Sequence, residues 1–90
     1  MNWEICFSKD SRRFLGDNHL DESSVLNRIV LVLRKFQGEE VSIDVKKLRG
    51  AWKEFYRIRD GKLRIIASFQ FELHQVYIER IDRRGGVYKP

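Results

Sequence analysis

The dipeptide Asp60-Gly61 lies between two alternating runs, Phe55-Tyr56-Arg57-Ile58-Arg59 and Lys62-Leu63-Arg64-Ile65-Ile66. Asp-Gly between alternating strands predicts a β-hairpin closed by a two-residue type I′ turn. With that turn at the centre, Arg57 faces Arg64 and Arg59 faces Lys62 across the ladder. Side chains alternate along a strand, so these four cations share one face. Tyr56, Ile58, Leu63 and Ile65 form the other, an apolar surface suited to a core. Like charges opposed across a ladder cost a few tenths of a kcal/mol or more. Four stacked cations therefore point to a bound anion with several oxygens, such as phosphate.

The charge distribution carries the same message. Residues 1–43 hold 6 Lys/Arg and 7 Asp/Glu, whereas residues 44–90 hold 12 Lys/Arg and 6 Asp/Glu. The net charge of +5 thus comes from the second half of the chain. A basic half implies nucleic acid, an anionic surface or an acidic partner. The 90 residues suffice for one domain, 1–90, with an apolar fraction of 42% that suits a soluble globular protein. No segment approaches the roughly 20 apolar residues that span a bilayer, and no signal-peptide pattern opens the chain. One cysteine, Cys6, permits no internal disulfide and reads as a buried reduced thiol in the cytoplasm. Two scattered histidines with that cysteine do not make a structural zinc site, so neither metal nor other cofactor is expected.

Elsewhere the periodicity is mixed. Trp3, Ile5 and Phe7 alternate as a short first strand. Ser8 is placed to cap a helix over Lys9–Leu15 that Gly16 closes, and Asp17-Asn18-His19 reads as a loop. Asp21 or Ser23 opens a second helix with apolar residues at Leu26, Ile29, Val30, Leu33 and Phe36, widened by Val25, Leu31 and Val32, and Gly38 stops it. Residues 39–52 read as a polar connector with a basic centre at Lys46, Lys47 and Arg49. The hairpin follows from about Lys53 to Phe69, and Glu72 to Ile81 forms a last strand that His74 begins. These elements predict an α+β domain: one N-terminal strand, two helices, then an antiparallel three-strand meander with both helices on one sheet face. The cation face then looks outward.

Four segments in the second half carry a family likeness: Lys47-Leu48-Arg49-Gly50, Tyr56-Arg57-Ile58-Arg59-Asp60-Gly61, Leu63-Arg64-Ile65-Ile66 and Ile81-Asp82-Arg83-Arg84-Gly85-Gly86-Val87-Tyr88. In residue type and order they resemble the RelE/ParE superfamily of bacterial toxin–antitoxin toxins, and most of all the RelE-like messenger-RNA interferases. The resemblance implies a RelE-like fold and a ribosome-dependent endoribonuclease in which the ribose 2′-OH attacks the adjacent phosphate. It implies a catalytic set of Arg57, Arg59, Arg64, Arg84 and Tyr88. Lys46, Lys47, Arg49, Lys62 and Arg83 are then RNA-binding cations. The implied partners are a cognate antitoxin, the ribosome and its message, with operator DNA reached only through the antitoxin complex and no membrane.

Guanidinium forks suit this chemistry because charge develops on the non-bridging oxygens of the phosphate. The best-known family member has lysines where this chain has Arg57 and Arg59. Arginine stays charged, so neither residue can accept the 2′-OH proton. Tyr88 would need strong cationic neighbours to do so, and His74 would need the fold to bring it round. The third possibility is catalysis mostly by positioning and electrostatics. Two other readings keep the fold: a ParE-like inhibitor of DNA gyrase, and a non-catalytic protein that binds antitoxin or operator. The simpler alternatives are a solvated basic strand face for the hairpin cations, ordinary loop and strand positions for His19 and His74, and a core or subsite-lining place for Trp52.

Overall fold

The computed structural model describes residues 2–83. Strand β1 (Glu4–Phe7) leads into helices α1 (Lys9–Asp17) and α2 (Glu22–Phe36). Strands β2 (Asp44–Lys47), β3 (Phe55–Asp60), β4 (Leu63–Gln70) and β5 (Gln75–Arg83) follow, with a 3₁₀ turn over Gly50–Trp52 between β2 and β3. They form a five-stranded sheet in the order β1-β5-β4-β3-β2. β1 runs parallel to β5, and every other pair is antiparallel.

The expected α+β architecture is present, with an additional strand. Asp44–Lys47, read from sequence as connector, pairs with β3 and extends the meander to four strands. A four-residue Asp-Val-Lys-Lys segment has one apolar side chain and so no alternation to detect. Its two lysines are exposed, as suits an edge that must not recruit another chain.

Both helices cover one face of the sheet. Val25, Ile29, Val32 and Leu33 of α2 and Leu15 of α1 are buried against Ile58, Leu63, Ile65, Ala67, Phe69, Val76, Ile78 and Ile81. The buried stripe of α2 is rotated slightly from the expected one, since Leu26 and Val30 are only partly covered. Gly38, at φ +92°, ends α2 as anticipated. Gly16 does not end α1. The helix runs on to Asp17, where the Asn18 backbone N–H and Nδ2 both donate to the Phe14 carbonyl, Nδ2 at 2.8 Å.

The β3–β4 turn lies one residue further on than expected, which slips the strand pairing by two residues. Asp60 pairs with Leu63, which leaves Gly61 and Lys62 as the central pair. Only Gly61 has a positive φ, +60°, so the turn follows the II′ pattern rather than I′. Because the slip is two residues rather than one, every side chain keeps its face. Arg59 now opposes Arg64, Arg57 opposes Ile66, and Lys62 sits in the turn. Asp60 consequently lies on the helix side, where its carboxylate is 2.8 Å from Arg28 Nε of α2.

β5 contains the feature that most affects the site. Its register to β4 shifts by one between Ile66 and Ala67: Ile66 pairs with Arg80, but Ala67 pairs with Ile78. Glu79 is the extra residue of a β-bulge. The bulge allows both Ile78 and Ile81 to face the core, and it turns Arg80 and Asp82 to the outer face. The start of α1 holds it in place. Ser8 Oγ accepts from Ser11 N at 3.0 Å and donates to the Glu79 carbonyl at 2.7 Å, while Ser8 N donates to the Ile78 carbonyl at 2.9 Å. Ser8→Ala removes the helix cap and the donor to the bulge together. It should lower unfolding free energy by about 1–2 kcal/mol, read as a fall of several degrees in Tm.

Candidate nucleic-acid interface

The sheet face opposite the helices carries two rows of side chains set by register. One row runs Lys46, Arg57, Ile66, Arg80 across β2, β3, β4 and β5, and the neighbouring row runs Asp44, Arg59, Arg64, Asp82. Five cations and two carboxylates thus share a small area of sheet. Arg64 and Asp82 are direct cross-strand partners and form a bidentate pair, Nε to Oδ1 at 3.0 Å and Nη2 to Oδ2 at 3.1 Å. Arg57 Nη2 donates to Asp44 Oδ1 at 3.1 Å. Arg59 and Arg64 are the like charges that face each other, in place of the expected Arg57 and Arg64.

The chain between β2 and β3 folds over one side of these rows. A recess of about 290 Å³ results, lined by Leu48, Trp52, Arg57, Arg64, Ile66, Arg80 and Asp82. Its floor is apolar and its wall holds three guanidinium groups. The Arg57 side chain is 15% exposed. Its Nε is buried and has no hydrogen-bond partner among the described residues. A buried donor without an acceptor costs roughly 1–3 kcal/mol. Trp52 is 44% exposed, with its ring edge-to-face on Phe55 at 5.2 Å between centroids. An indole held in that way presents a surface on which a base can stack.

The cations singled out from the sequence have different fates. Arg57 and Arg64 meet in the recess, with Arg59 beside Arg64 on the same face. Lys46 is exposed next to Arg57, Arg49 is exposed in the segment before the 3₁₀ turn, and Lys62 is exposed in the hairpin turn. Two lie on the other side of the sheet. Lys47 pairs with Tyr56 on the helix-facing side, its Nζ 6.0 Å from the Tyr56 ring centre. Arg83 Nε donates to Asn18 Oδ1 at 3.1 Å, at the end of α1. Arg83 follows the bulge in phase with Ile81, which is why it turns inward. Arg84 and Tyr88 lie outside the described residues.

His74 does not begin β5. It occupies the turn after β4 at φ +54°, packed 5.1 Å from the Trp3 ring, at the end of the sheet away from the hairpin turn. Sequence reasoning missed Arg80, Asp82 and Asp44. Strict alternation from Val76 and Ile78 would bury Arg80 and Asp82, and only the bulge brings them out. The signal that was available is Ile81, an apolar residue at the odd position between them. Among the described residues no three His, Cys, Asp or Glu side chains are grouped to hold a metal ion.

The β-strand, two helices and antiparallel meander form a fold shared with solved structures of RelE- and YafQ-type toxins. The chain superposes on a chain of the E. coli DinJ–YafQ toxin–antitoxin complex with a TM-score of 0.64 at 13% identity, covering 99% of this chain and 100% of that one. A chain of the Mycobacterium tuberculosis RelBE2 toxin–antitoxin complex gives 0.60 at 21% identity, covering 93% and 100%. A copper-bound mutant toxin from Helicobacter pylori gives 0.64 at 21% identity, covering 91% and 94%. No protein-family model and no curated protein sequence matches the chain. The likeness is one of fold.

Proposed function

We propose that this chain is the toxin of a two-gene toxin–antitoxin module and acts as a ribosome-dependent messenger-RNA endoribonuclease. The observation that carries the reading is the convergence of Arg57, Arg64 and Arg80 on one recess of the uncovered sheet face. The fold shared with toxins of such modules supports it.

In this reading the scissile phosphate enters the recess and its non-bridging oxygens meet the guanidinium forks. The ribose 2′-oxygen attacks in line, and the arginines stabilise the charge that develops. Arg59, Arg84 and Tyr88 complete the catalytic set that the sequence resemblance implies, while Lys46, Arg49 and Lys62 attract the RNA backbone. The ribosome holds the message in place, and this positioning contributes much of the acceleration. The protein works in the cytoplasm and is neutralised by a small antitoxin whose acidic or amphipathic segment covers the cation face. It meets operator DNA only within the antitoxin complex.

Purified protein added to programmed ribosomes should release message fragments with 2′,3′-cyclic phosphate ends. Intact message, with antitoxin-competent protein present, would rule the reading out. Trp52 provides a second check. Loss of a stacking ring is worth about 1–3 kcal/mol per base, so Trp52→Ala should weaken binding of a short oligoribonucleotide by about tenfold. The ring is half-exposed, so the melting temperature should move little, and fluorescence anisotropy alongside a thermal melt separates the two effects.

A further inference from the structure

We infer that Asp82 is the group that takes the 2′-hydroxyl proton, and that the incoming phosphate frees it by displacing it from Arg64. The inference rests on the endoribonuclease reading above and adds to it the proton acceptor that arginine cannot supply.

Among the described residues that line the recess, Asp82 is the one side chain able to accept a proton, since the others are apolar, indole or guanidinium. The other candidates among the described residues lie elsewhere, and Tyr88 is outside them. His74 is in the β4–β5 turn beside Trp3, and His19 is between the two helices on the covered side of the sheet. Tyr56 faces the helices, packed on Phe36. Tyr77 is on the outer face but borders a separate hollow with Cys6 and Gln75. Asp44 is an exposed edge-strand residue that pairs with Arg57 from outside the recess.

The geometry of the Arg64–Asp82 pair supplies the second half of the inference. Both carboxylate oxygens are occupied by the Nε and Nη2 edge of Arg64, at 3.0 and 3.1 Å. A planar guanidinium edge presents the same two donors to a phosphate that it presents to a carboxylate. The two anions therefore compete for one site. A phosphodiester that takes the Arg64 edge releases both oxygens of Asp82 next to itself, where the attacking hydroxyl must lie. Side-chain exposures of 26% and 29% leave the pair room to separate. The charged groups facing Asp82 are Arg64 and Arg59 in its own row and Arg80 and Arg57 across the recess.

The step balances as follows. The 2′-hydroxyl proton passes to an Asp82 Oδ as the O2′–P bond forms, and the P–O5′ bond breaks. Solvent water protonates the departing 5′-oxygen, and Asp82 returns its proton to the hydroxide left behind. General-base assistance of this kind typically contributes 10²–10⁴-fold.

The test is single-turnover cleavage on programmed ribosomes as a function of pH, with ribosome binding measured in parallel. Asp82→Asn should cut at least about 100-fold more slowly and bind within about threefold of wild type. It should also lose the acid-side limb of the pH–rate profile, which Asp82→Glu should retain in a displaced position. Cleavage by Asp82→Asn at the wild-type rate with an unchanged profile would overturn the assignment and leave the endoribonuclease reading standing. Loss of binding together with cleavage would also overturn it, by showing that Asp82 only positions Arg64. If Asp82→Asn does not fold, Asp82→Glu decides. A limb that moves with the longer carboxylate supports the assignment, and an identical profile overturns it. Intact message with the wild-type protein would remove the underlying reading itself.

Discussion

Arg64→Ala should lower the single-turnover cleavage rate on programmed ribosomes by about 100-fold or more, with little change in Tm. Removing one preorganised donor from a developing oxyanion typically costs 10²–10³ in rate, and Arg64 offers two donors on one edge. Arg64→Lys should recover only part of the loss, because a lysine restores the charge but not the planar pair of donors. Stability responds to two opposed effects. The mutation removes a partly exposed ion pair with Asp82, worth about 1 kcal/mol, and it relieves the direct opposition of Arg64 to Arg59, worth a few tenths. The net change should therefore stay within about 1 kcal/mol. A collapse of the thermal transition would show that Arg64 serves the fold instead.

Ile65→Ala should have the largest effect on stability. Ile65 is fully buried on the central strand, between Ile58 of β3 and Ile81 of β5 in the register. All three pack under the α2 residues Val25, Ile29 and Val32. Truncating such a side chain usually costs about 2–5 kcal/mol, the upper part of that range when the surroundings cannot collapse. Strands on both sides hold the position open, so about 4 kcal/mol is expected. For a chain of this size that is a large share of a total on the order of 5–10 kcal/mol. Denaturant unfolding should show a lower midpoint with an unchanged slope. Ile65 lies between Arg64 and Ile66, so activity should fall at temperatures below the new transition as the recess loosens.

The parts of the fold that rest on alternation were legible. Tyr56, Ile58, Leu63 and Ile65 can be assigned to the core, and Arg57, Arg59 and Arg64 to the outer face, even though the turn lies one residue further on and the facing pairs slip by two. Period-two patterns survive an even slip, whereas the identity of facing partners does not. Asp60-Gly61 and Gly61-Lys62 are both sensible centres for a two-residue turn. The ion pair of Asp60 with Arg28 and the pairing of Asp60 with Leu63 belong to the second, and neither can be read locally. The helices were recognisable from apolar spacing and from Ser8, but the final turn of α1 depends on Asn18 reaching back to Phe14.

What could not be read is the part of the site contributed by β5. Arg80 and Asp82 are ordinary charged residues until one extra residue, Glu79, shifts their phase. That shift is stabilised by Ser8, which is 71 residues away in the chain. Long-range bonds of this kind leave no local pattern. β2 escaped notice for a different reason: an edge strand kept polar against aggregation carries little of the signature by which strands are recognised.

Among the described strands, the last to be made lies inside the sheet rather than at its edge. β5 lies between β4, completed just before it, and β1, the first strand to be synthesised. β1 therefore waits until β5 is made for the edge it joins, and a nascent chain lacking β5 has no Asp82 opposite Arg64 and no Arg80 opposite Ile66. The residues proposed to act on a message come together only once β5 has joined the sheet between β1 and β4.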